Sequence, residues 1–283
     1  MALPALGFST WAFPGEVINR SIDHALSHQF NALEVALLDS ALFGQRDILP
    51  SDHQAREVAR RTDGIRLTVH APIVQVSVAD LESEVRERSV ETLRRTIRAA
   101  YEMHAEVVVF HLSRRDPEAP APTSWREDGI LFAAEHVHSL GLIAAEMGIV
   151  LAVENVGFSA RAADRDYSQL SRIIDQISLD NVGICFDVGH AHFHSSVCGG
   201  VDASAALFGP RVRHYHVHDN DGTADQHVRV GAGTVNYRLL LPAWTQGYKG
   251  VIAMEVFNYN EANTEIGTLN SRATLESLFK GIP

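Results

Sequence analysis

The chain has 283 residues, of which 46% are hydrophobic and 21% are charged, as in an ordinary globular protein. Its formal net charge of −11 disfavours a polyanionic partner such as nucleic acid and favours a small or neutral substrate. Two cysteines, Cys185 and Cys198, are too few for a disulfide framework, and residues 1–7 lack the basic start of an export signal. No apolar run approaches the ~20 residues that span a bilayer. We therefore expect a cytoplasmic protein that does not enter a membrane.

In chain order, eight short apolar or β-branched runs alternate with longer segments of helical periodicity. The predicted strands are residues 5–9, 32–37, 65–70, 107–111, 149–154, 182–187, 212–216 and 251–255. The clearest predicted helices are residues 81–104, 130–147, 168–177, 237–244 and 269–279. This alternation is typical of βα units around a parallel sheet, and eight strands close a barrel. The sequence predicts an α/β fold, a single (β/α)8 TIM barrel that occupies residues 1–283 as one domain.

Acidic side chains stand at the ends of three predicted strands. Glu154, Asp187 and Glu255 each follow a nearly unbroken apolar run. Burying a carboxylate in a protein core costs free energy unless the group is paired, hydrogen-bonded or bound to metal. A salt bridge to buried Lys or Arg is the alternative, but the nearby basic residues stand at strand starts, which face the opposite side of a barrel; they are Arg66, Arg211, Arg213 and Lys249. The pattern therefore favours a metal site.

Histidines stand at further strand ends and in the loops behind them. They are His70, His111, His190 and His216, and the loop after His216 adds Asp225 and His227. The carboxyl ends of parallel barrel strands all open on one face, so these groups are expected to meet. Imidazole and carboxylate groups are common ligands of divalent cations. Any one histidine is as well explained as a hydrogen-bonded structural residue, so the prediction depends on the convergence of the whole set.

Six segments carry a resemblance to a known family. They are His70-Ala71-Pro72, Val153-Glu154-Asn155, Phe186-Asp187-Val188-Gly189-His190, His216-Val217-His218-Asp219, Asp225-Gln226-His227 with Gly231-Ala232-Gly233, and Met254-Glu255. This succession resembles the motifs of the xylose isomerase-like TIM barrel superfamily and extends over essentially the whole chain. The superfamily includes sugar and sugar-phosphate isomerases and epimerases, among them ketose 3-epimerases and inosose isomerases. It also includes endonuclease IV, a metal-dependent phosphodiesterase of abasic-site repair.

The resemblance implies two alternative ligand sets. In the epimerase branch one divalent ion, commonly manganese, is held by the residues that match Glu154, Asp187, His216 and Glu255. The two glutamates are also the acid–base pair of that branch, and the residue that matches His190 contacts the substrate. In the endonuclease branch three zinc ions are held by the same four positions together with those that match His70, His111, His190, Asp225 and His227. Since all nine residues are present, both branches stay open.

Basic residues are few in the loops expected on the active face, which favours the epimerase branch because an endonuclease needs phosphate-binding side chains. They are Arg46, Arg114, Arg115, Arg161 and Arg165. The epimerase pattern also has a departure, because Gly222 stands near the position where that branch has a substrate-binding arginine. Arg229 is the candidate replacement, with an ordinary loop salt bridge as the alternative.

The sequence also suggests roles for three further residues. Trp11 is predicted either to stack on a sugar ring or to pack the barrel mouth. Glu34, inside the second strand, is interpreted as a buried hydrogen-bond partner rather than a catalyst. His218 is interpreted as a hydrogen-bond partner of a metal ligand.

The sequence thus predicts a divalent-metal-dependent isomerase or epimerase of a sugar, a sugar phosphate or an inosose. The expected mechanism is proton transfer by Glu154 and Glu255 through a metal-stabilised enediolate. Mn²⁺ is the favoured ion and Zn²⁺ the alternative. An endonuclease IV-like multi-zinc phosphodiesterase is the first alternative function, and a related metal-dependent barrel lyase or dehydratase is the second. The expected partner is a small carbohydrate, and the sequence leaves a homo-oligomer open.

Overall fold

Eight parallel strands pair with their sequence neighbours, and the last strand pairs with the first, so the sheet closes into a barrel. The computed structural model describes residues 3–38, 40–113, 125–156, 167–257 and 264–281. The strands are β1 (Ala5–Ser9), β2 (Ala32–Ala36), β3 (Arg66–His70), β4 (Val107–Phe110), β5 (Val150–Glu154), β6 (Val182–Asp187), β7 (Val212–Val217) and β8 (Val251–Met254). The predicted (β/α)8 fold is confirmed, and each predicted strand is present with its ends shifted by at most one residue.

Helices connect successive strands of the barrel. The described α-helices are α1 (Ile18–Ser27), α2 (Asp52–Arg61), α3 (Ser83–Glu102), α4 (Trp125–Glu146), α5 (Tyr167–Ile177), α6 (Val188–Phe193), α7 (Ser195–Cys198), α8 (Gly200–Phe208), α9 (Leu241–Thr245) and α10 (Thr264–Lys280). The predicted helices 81–104, 130–147, 168–177 and 269–279 correspond to α3, α4, α5 and α10. Within the parts of the chain that the structure describes, no helix has the length and apolar character needed to cross a membrane.

The segment 237–244, predicted as one helix, is divided in two. Its first part, Tyr237–Leu240, is a 3-10 turn that begins where the Asn236 side chain accepts a hydrogen bond from the Arg238 backbone N–H at 3.2 Å. Its second part is α9, with Pro242 in the first turn. Proline fits a helix start because its missing N–H has no partner there, but it cannot continue a helix that began earlier.

Along each strand, successive side chains point alternately toward the surrounding helices and toward the barrel interior. The larger set packs between strands and helices and includes Phe8, Leu33 and Val35. The barrel interior holds smaller side chains in two separate clusters; they are Ala5, Ala32, Val251 and Ala253, and Val107, Val109, Ala152 and Cys185. This alternation follows from the two-residue repeat of a strand. It leaves the polar residues near the carboxyl ends of the strands to converge on the axis.

The strand register places the predicted ligands at a similar level along the barrel axis. Asp187 on β6 lies beside His216 on β7, and Glu154 on β5 lies beside Cys185 on β6. The backbone N–H of Glu255, just past β8, donates to Val217 O at 3.1 Å. Residues that are distant in sequence are therefore held at the same mouth of the barrel.

Candidate metal centre at the barrel mouth

Glu154, Asp187, His216 and Glu255 form one buried group at the ends of β5, β6, β7 and β8. One potential ligand atom of each residue lies within 4.8 Å of those of the other three. All four residues are at most 2% exposed. The structure thus places the four predicted ligands together, and a nitrogen–oxygen set of this kind suits Mn²⁺ or Zn²⁺.

Two further groups hold the remaining predicted ligands. They are His70, His111 and Glu154, and His190, His218, Asp225 and His227. Glu154 belongs to two of the groups, and its Oε2 atom lies 3.0 Å from Nε2 of both His70 and His111. His218 Nε2 lies 3.2 Å from Asp187 Oδ1, which joins the remaining group to the first. All nine residues predicted as ligands therefore converge at the barrel mouth, and His218 lies among them.

Backbone carbonyl groups fix the ring orientation of three of these histidines. The Nδ1–H groups of His70, His190 and His227 donate to the carbonyl oxygens of Ala71, Asn155 and Glu255 at 2.7, 2.9 and 2.9 Å. A carbonyl oxygen can only accept, so the proton of each neutral ring lies on Nδ1 and the lone pair on Nε2. In His70 and His227 that Nε2 atom faces a carboxylate oxygen, at 3.0 Å from Glu154 and 3.1 Å from Asp225. Two such acceptors are compatible only with a cation between them, either a proton or a metal ion.

His216 is oriented from the opposite side of the ring. Its Nε2 atom lies 2.9 Å from Glu34 Oε2 on β2, and His214 Nε2 lies 3.2 Å from the same oxygen. This agrees with the interpretation of Glu34 as a buried hydrogen-bond partner. The Nδ1 atom of His216 then points its lone pair toward the centre, 3.4 Å from Glu154 Oε2 and 3.5 Å from Glu255 Oε1. A carboxylate that orients a metal-binding imidazole in this way is common in metalloproteins.

The residues present fit a divalent cation. Three buried atoms of the four-residue group, Asp187 Oδ2, His216 Nδ1 and Glu255 Oε1, have no hydrogen-bond partner among the described residues. Buried polar atoms are normally satisfied, so three acceptors left together indicate a missing positive charge. Two of the basic residues considered as an alternative are occupied elsewhere: Arg66 pairs with Glu106 and donates to the Lys249 carbonyl, and Arg211 pairs with Asp175.

Burial and neighbouring charges drive the pKa values of the two glutamates apart. The pKa of Glu154 lies well below its usual range because His216 and His111 outweigh the opposing effect of burial. Burial raises the pKa of Glu255 to about 7, with His216 opposing and Glu154 reinforcing the effect. Burial would lower the pKa of His216, but the Glu255, Glu34 and Glu154 carboxylates raise it well above its usual range, so without metal Nδ1 holds a proton that a metal ion would displace. Two carboxyl groups with divergent pKa values can serve as a base and an acid.

A cavity of about 590 Å³ opens above the ligand groups. Its floor includes Glu154, His190 and Glu255, and its wall includes Trp11 and Phe257. The Trp11 and Phe257 rings stack with their centroids 3.9 Å apart, so Trp11 both packs the mouth and borders the cavity. One ring face of Trp11 is thereby covered. The size of the cavity and its mixture of aromatic and polar groups are suited to a small polar molecule.

The described residues that border this cavity include no Lys or Arg. Arg229, predicted to bind substrate, is half-buried and is not among them. Arg46 is exposed and borders a neighbouring cavity beside Asp47 and Arg95. The other predicted loop arginines, Arg114, Arg115, Arg161 and Arg165, lie outside the described residues.

Two supporting residues were not predicted from the sequence. The Asn155 side chain accepts from the Asp187 backbone N–H at 2.8 Å and donates to the Asp187 carbonyl at 2.9 Å. Asp219 accepts from the backbone N–H groups of Gly231 and Val235 at 2.9 and 3.0 Å. The glycine-rich turn is thus organised by a carboxylate of its own chain. Asn155 and Asp219 both lie in the sequence motifs that resemble the family, but a motif does not show which backbone groups a side chain will contact.

Comparison with known proteins supports the same fold. The family model described as xylose isomerase-like TIM barrel matches residues 22–278. An uncharacterized protein of Methanocaldococcus jannaschii is 28% identical over 260 residues, which span 90% of this chain and 85% of that protein. An inosose isomerase of Bacillus velezensis is 25% identical over 155 residues, 52% of this chain and 54% of that enzyme.

Among solved structures, a D-tagatose 3-epimerase-like protein matches with a TM-score of 0.77 at 25% identity, over 98% of this chain and 97% of that one. An L-ribulose 3-epimerase matches with a TM-score of 0.80 at 15% identity, over 98% and 95%. With its closed barrel and the model match over most of its length, the chain belongs to the xylose isomerase-like TIM barrel family.

Proposed function

We propose that the chain is a divalent-metal-dependent isomerase or epimerase of a small sugar, a sugar phosphate or an inosose. The observation that carries this proposal is the buried ligand group at the barrel mouth, two of whose carboxylates, Glu154 and Glu255, border a 590 Å³ cavity. Related proteins named as a D-tagatose 3-epimerase-like protein and an inosose isomerase support it.

The ion would be held by Glu154, Asp187, His216 and Glu255, with Mn²⁺ favoured and Zn²⁺ as the alternative. When bound, it supplies a positive charge that lowers the free energy of the enediolate formed when a carbon-bound proton next to a carbonyl is removed. Glu154 and Glu255 are the candidate acid–base pair, in which one carboxylate removes the proton and the other returns a proton. His190 is the candidate substrate contact, since it borders the cavity beside Glu154.

Specificity would come from the wall of the cavity. The free face of Trp11 offers an apolar surface for the C–H groups of a sugar ring, while the carboxylates and imidazoles below it match hydroxyl groups. The lack of basic residues among the described cavity residues favours a neutral sugar over a phosphorylated one. Arg229 is not among the described residues that border the cavity, which weighs against its predicted contact with substrate.

A second candidate, a multi-zinc phosphodiesterase, is favoured by one specific observation. The nine residues that match the endonuclease branch fall into three adjacent groups, and clustered zinc ions hold both the attacking and the leaving oxygen of a phosphoryl group. The net charge of −11 and the absence of basic residues among the described cavity residues weigh against a DNA substrate.

Metal analysis combined with an activity panel separates the two functions. The protein is stripped with a chelator, reloaded with Mn²⁺ or Zn²⁺, and tested on ketoses, inososes and an abasic-site duplex. We expect sugar turnover in the protein that contains about one Mn²⁺ per chain, because the proposed site binds a single ion. Cleavage of the duplex with two or three Zn²⁺ per chain, together with no sugar turnover, would overturn the first proposal in favour of the second.

A further inference from the structure

A second cluster of potential ligands lies on the outside of the barrel, where α1 meets α10. It consists of His24 in the last turn of α1, His28 at the residue after that helix, and Glu265 in the first turn of α10. A separation of four residues places His24 and His28 on the same helix face. One potential ligand atom of each residue lies within 4.8 Å of the other two.

His24 is buried and its ring is held firmly. It is 5% exposed, and Phe8 and Phe13 pack edge-on against it with centroids 5.1 and 5.2 Å away. Its Nε2 atom lies 2.9 Å from Thr268 Oγ1. The Thr268 hydroxyl group itself donates to the Glu265 carbonyl at 2.8 Å, so its oxygen accepts and the imidazole proton lies on Nε2.

The other ring nitrogen of His24 therefore carries a lone pair. This Nδ1 atom is buried and has no hydrogen-bond partner among the described residues. It faces Glu265 Oε1 at 3.5 Å, and His28 Nε2 lies 3.8 Å from the same oxygen. The other carboxylate oxygen, Oε2, accepts from Arg20 at 2.7 Å. Glu265 Oε1 and the two imidazoles are thus available for a ligand.

We propose that His24 Nδ1, His28 Nε2 and Glu265 Oε1 bind a Zn²⁺ ion that links the first and last helices of the barrel. In tetrahedral zinc sites with bonds of about 2.0–2.1 Å, ligand atoms are roughly 3.3–3.5 Å apart. The two measured separations from Oε1 require shifts of only a few tenths of an ångström. The His28 side chain is 37% exposed, which leaves the fourth position open to water. This site shares no residue with the ligand groups at the barrel mouth.

Zinc binding by the stripped full-length protein tests the proposal. Equilibrium dialysis at one free Zn²⁺ concentration compares wild type with His28→Gln and with Glu265→Gln. His53→Gln, on the exposed surface of α2, is the matched control. We expect wild type and the control to bind one equivalent more than each of the two cluster variants. The mouth ligands are intact in all four proteins, so the difference reports this site alone.

Thr268→Val adds a test that does not remove a ligand. Losing the hydroxyl group that fixes the His24 tautomer should weaken this zinc site by about 10–100-fold, the usual effect of deleting a partner of a ligand. Saturating Zn²⁺ should also raise the melting temperature of wild type more than that of His28→Gln, because binding to the folded state alone stabilises it. Equal zinc stoichiometry for wild type and either His28→Gln or Glu265→Gln would overturn the proposal.

Discussion

The imidazole of His216 donates its Nε2–H to Glu34 Oε2 at 2.9 Å, and both side chains are fully buried. The hydrogen bond crosses the barrel interior between β7 and β2. It leaves the Nδ1 lone pair directed at Glu154 and Glu255. Glu34, which is not among the described cavity residues, therefore determines how His216 faces the candidate metal centre.

Glu34→Gln should weaken metal binding at the mouth by about 10–100-fold, because the neutral amide no longer favours one tautomer of His216 and makes the imidazole a poorer ligand. Competition with a chelator measures the affinity. Glu57→Gln, a charge-neutralising change at a side chain of α2 that is 45% exposed, is the control and should have no effect. Unchanged affinity in Glu34→Gln would show that the ring is held in place by packing alone.

Glu255→Gln should abolish metal-dependent turnover and yet stabilise the metal-free protein at alkaline pH. The pKa of Glu255 is raised to about 7 in the folded chain, so the favourable contribution of its protonated form is complete below about pH 4.5 and is lost as the pH rises through 7. The gain from the neutral amide should be small at pH 5 and on the order of 1–3 kcal/mol at pH 8.

Thermal unfolding of wild type and Glu255→Gln in excess chelator, at both pH values, measures this difference. A variant that is less stable than wild type at pH 8 would mean that the Glu255 carboxylate is satisfied without metal.

Gly189→Ala should be destabilising because an added Cβ would overlap the His218 ring. Overpacking of this kind costs about 1–3 kcal/mol, which urea unfolding can measure. The three atoms nearest to that Cβ all belong to the His218 ring, so His218→Ala should relieve the clash. Strict additivity of the two changes in a double-mutant cycle would exclude the contact as the cause.

Trp11→Ala should raise KM for the sugar substrate with little change in kcat, since the ring borders the cavity but carries no group that transfers a proton from carbon. Phe257 covers one face of the indole, so only the other face can stack on a sugar. Trp11→Phe should retain most of the affinity because it keeps an aromatic face. An equal loss in kcat and no change in KM would place Trp11 in the chemistry instead of in binding.

The barrel and the convergence of nine potential ligands followed from the sequence because both depend on local patterns. Alternating β and α periodicity gives the strands, and a parallel barrel brings every carboxyl end to one face. The pairing of Glu34 with His216 did not follow, since the two residues are 182 positions apart and the contact depends on barrel packing. The position of the Arg229 side chain relative to the cavity could not be predicted either, because it depends on the path of the loop that carries it.

The division of residues 237–244 has a different cause. The apolar spacing across this segment is helical, but Pro242 stops the backbone hydrogen-bond pattern and starts a new helix. A proline in a periodic segment is a visible signal, and in this chain it outweighs the periodicity.

Exchange of a carbon-bound proton with solvent tests the proposed chemistry most directly. The Mn²⁺-loaded protein is incubated in D₂O with a panel of ketoses and inososes, and NMR follows the carbon next to the carbonyl. The account predicts deuterium at that carbon in at least one sugar, metal-dependent and lost in Glu255→Gln. No exchange in any sugar of the panel, together with zinc-dependent cleavage of an abasic-site duplex, would contradict it.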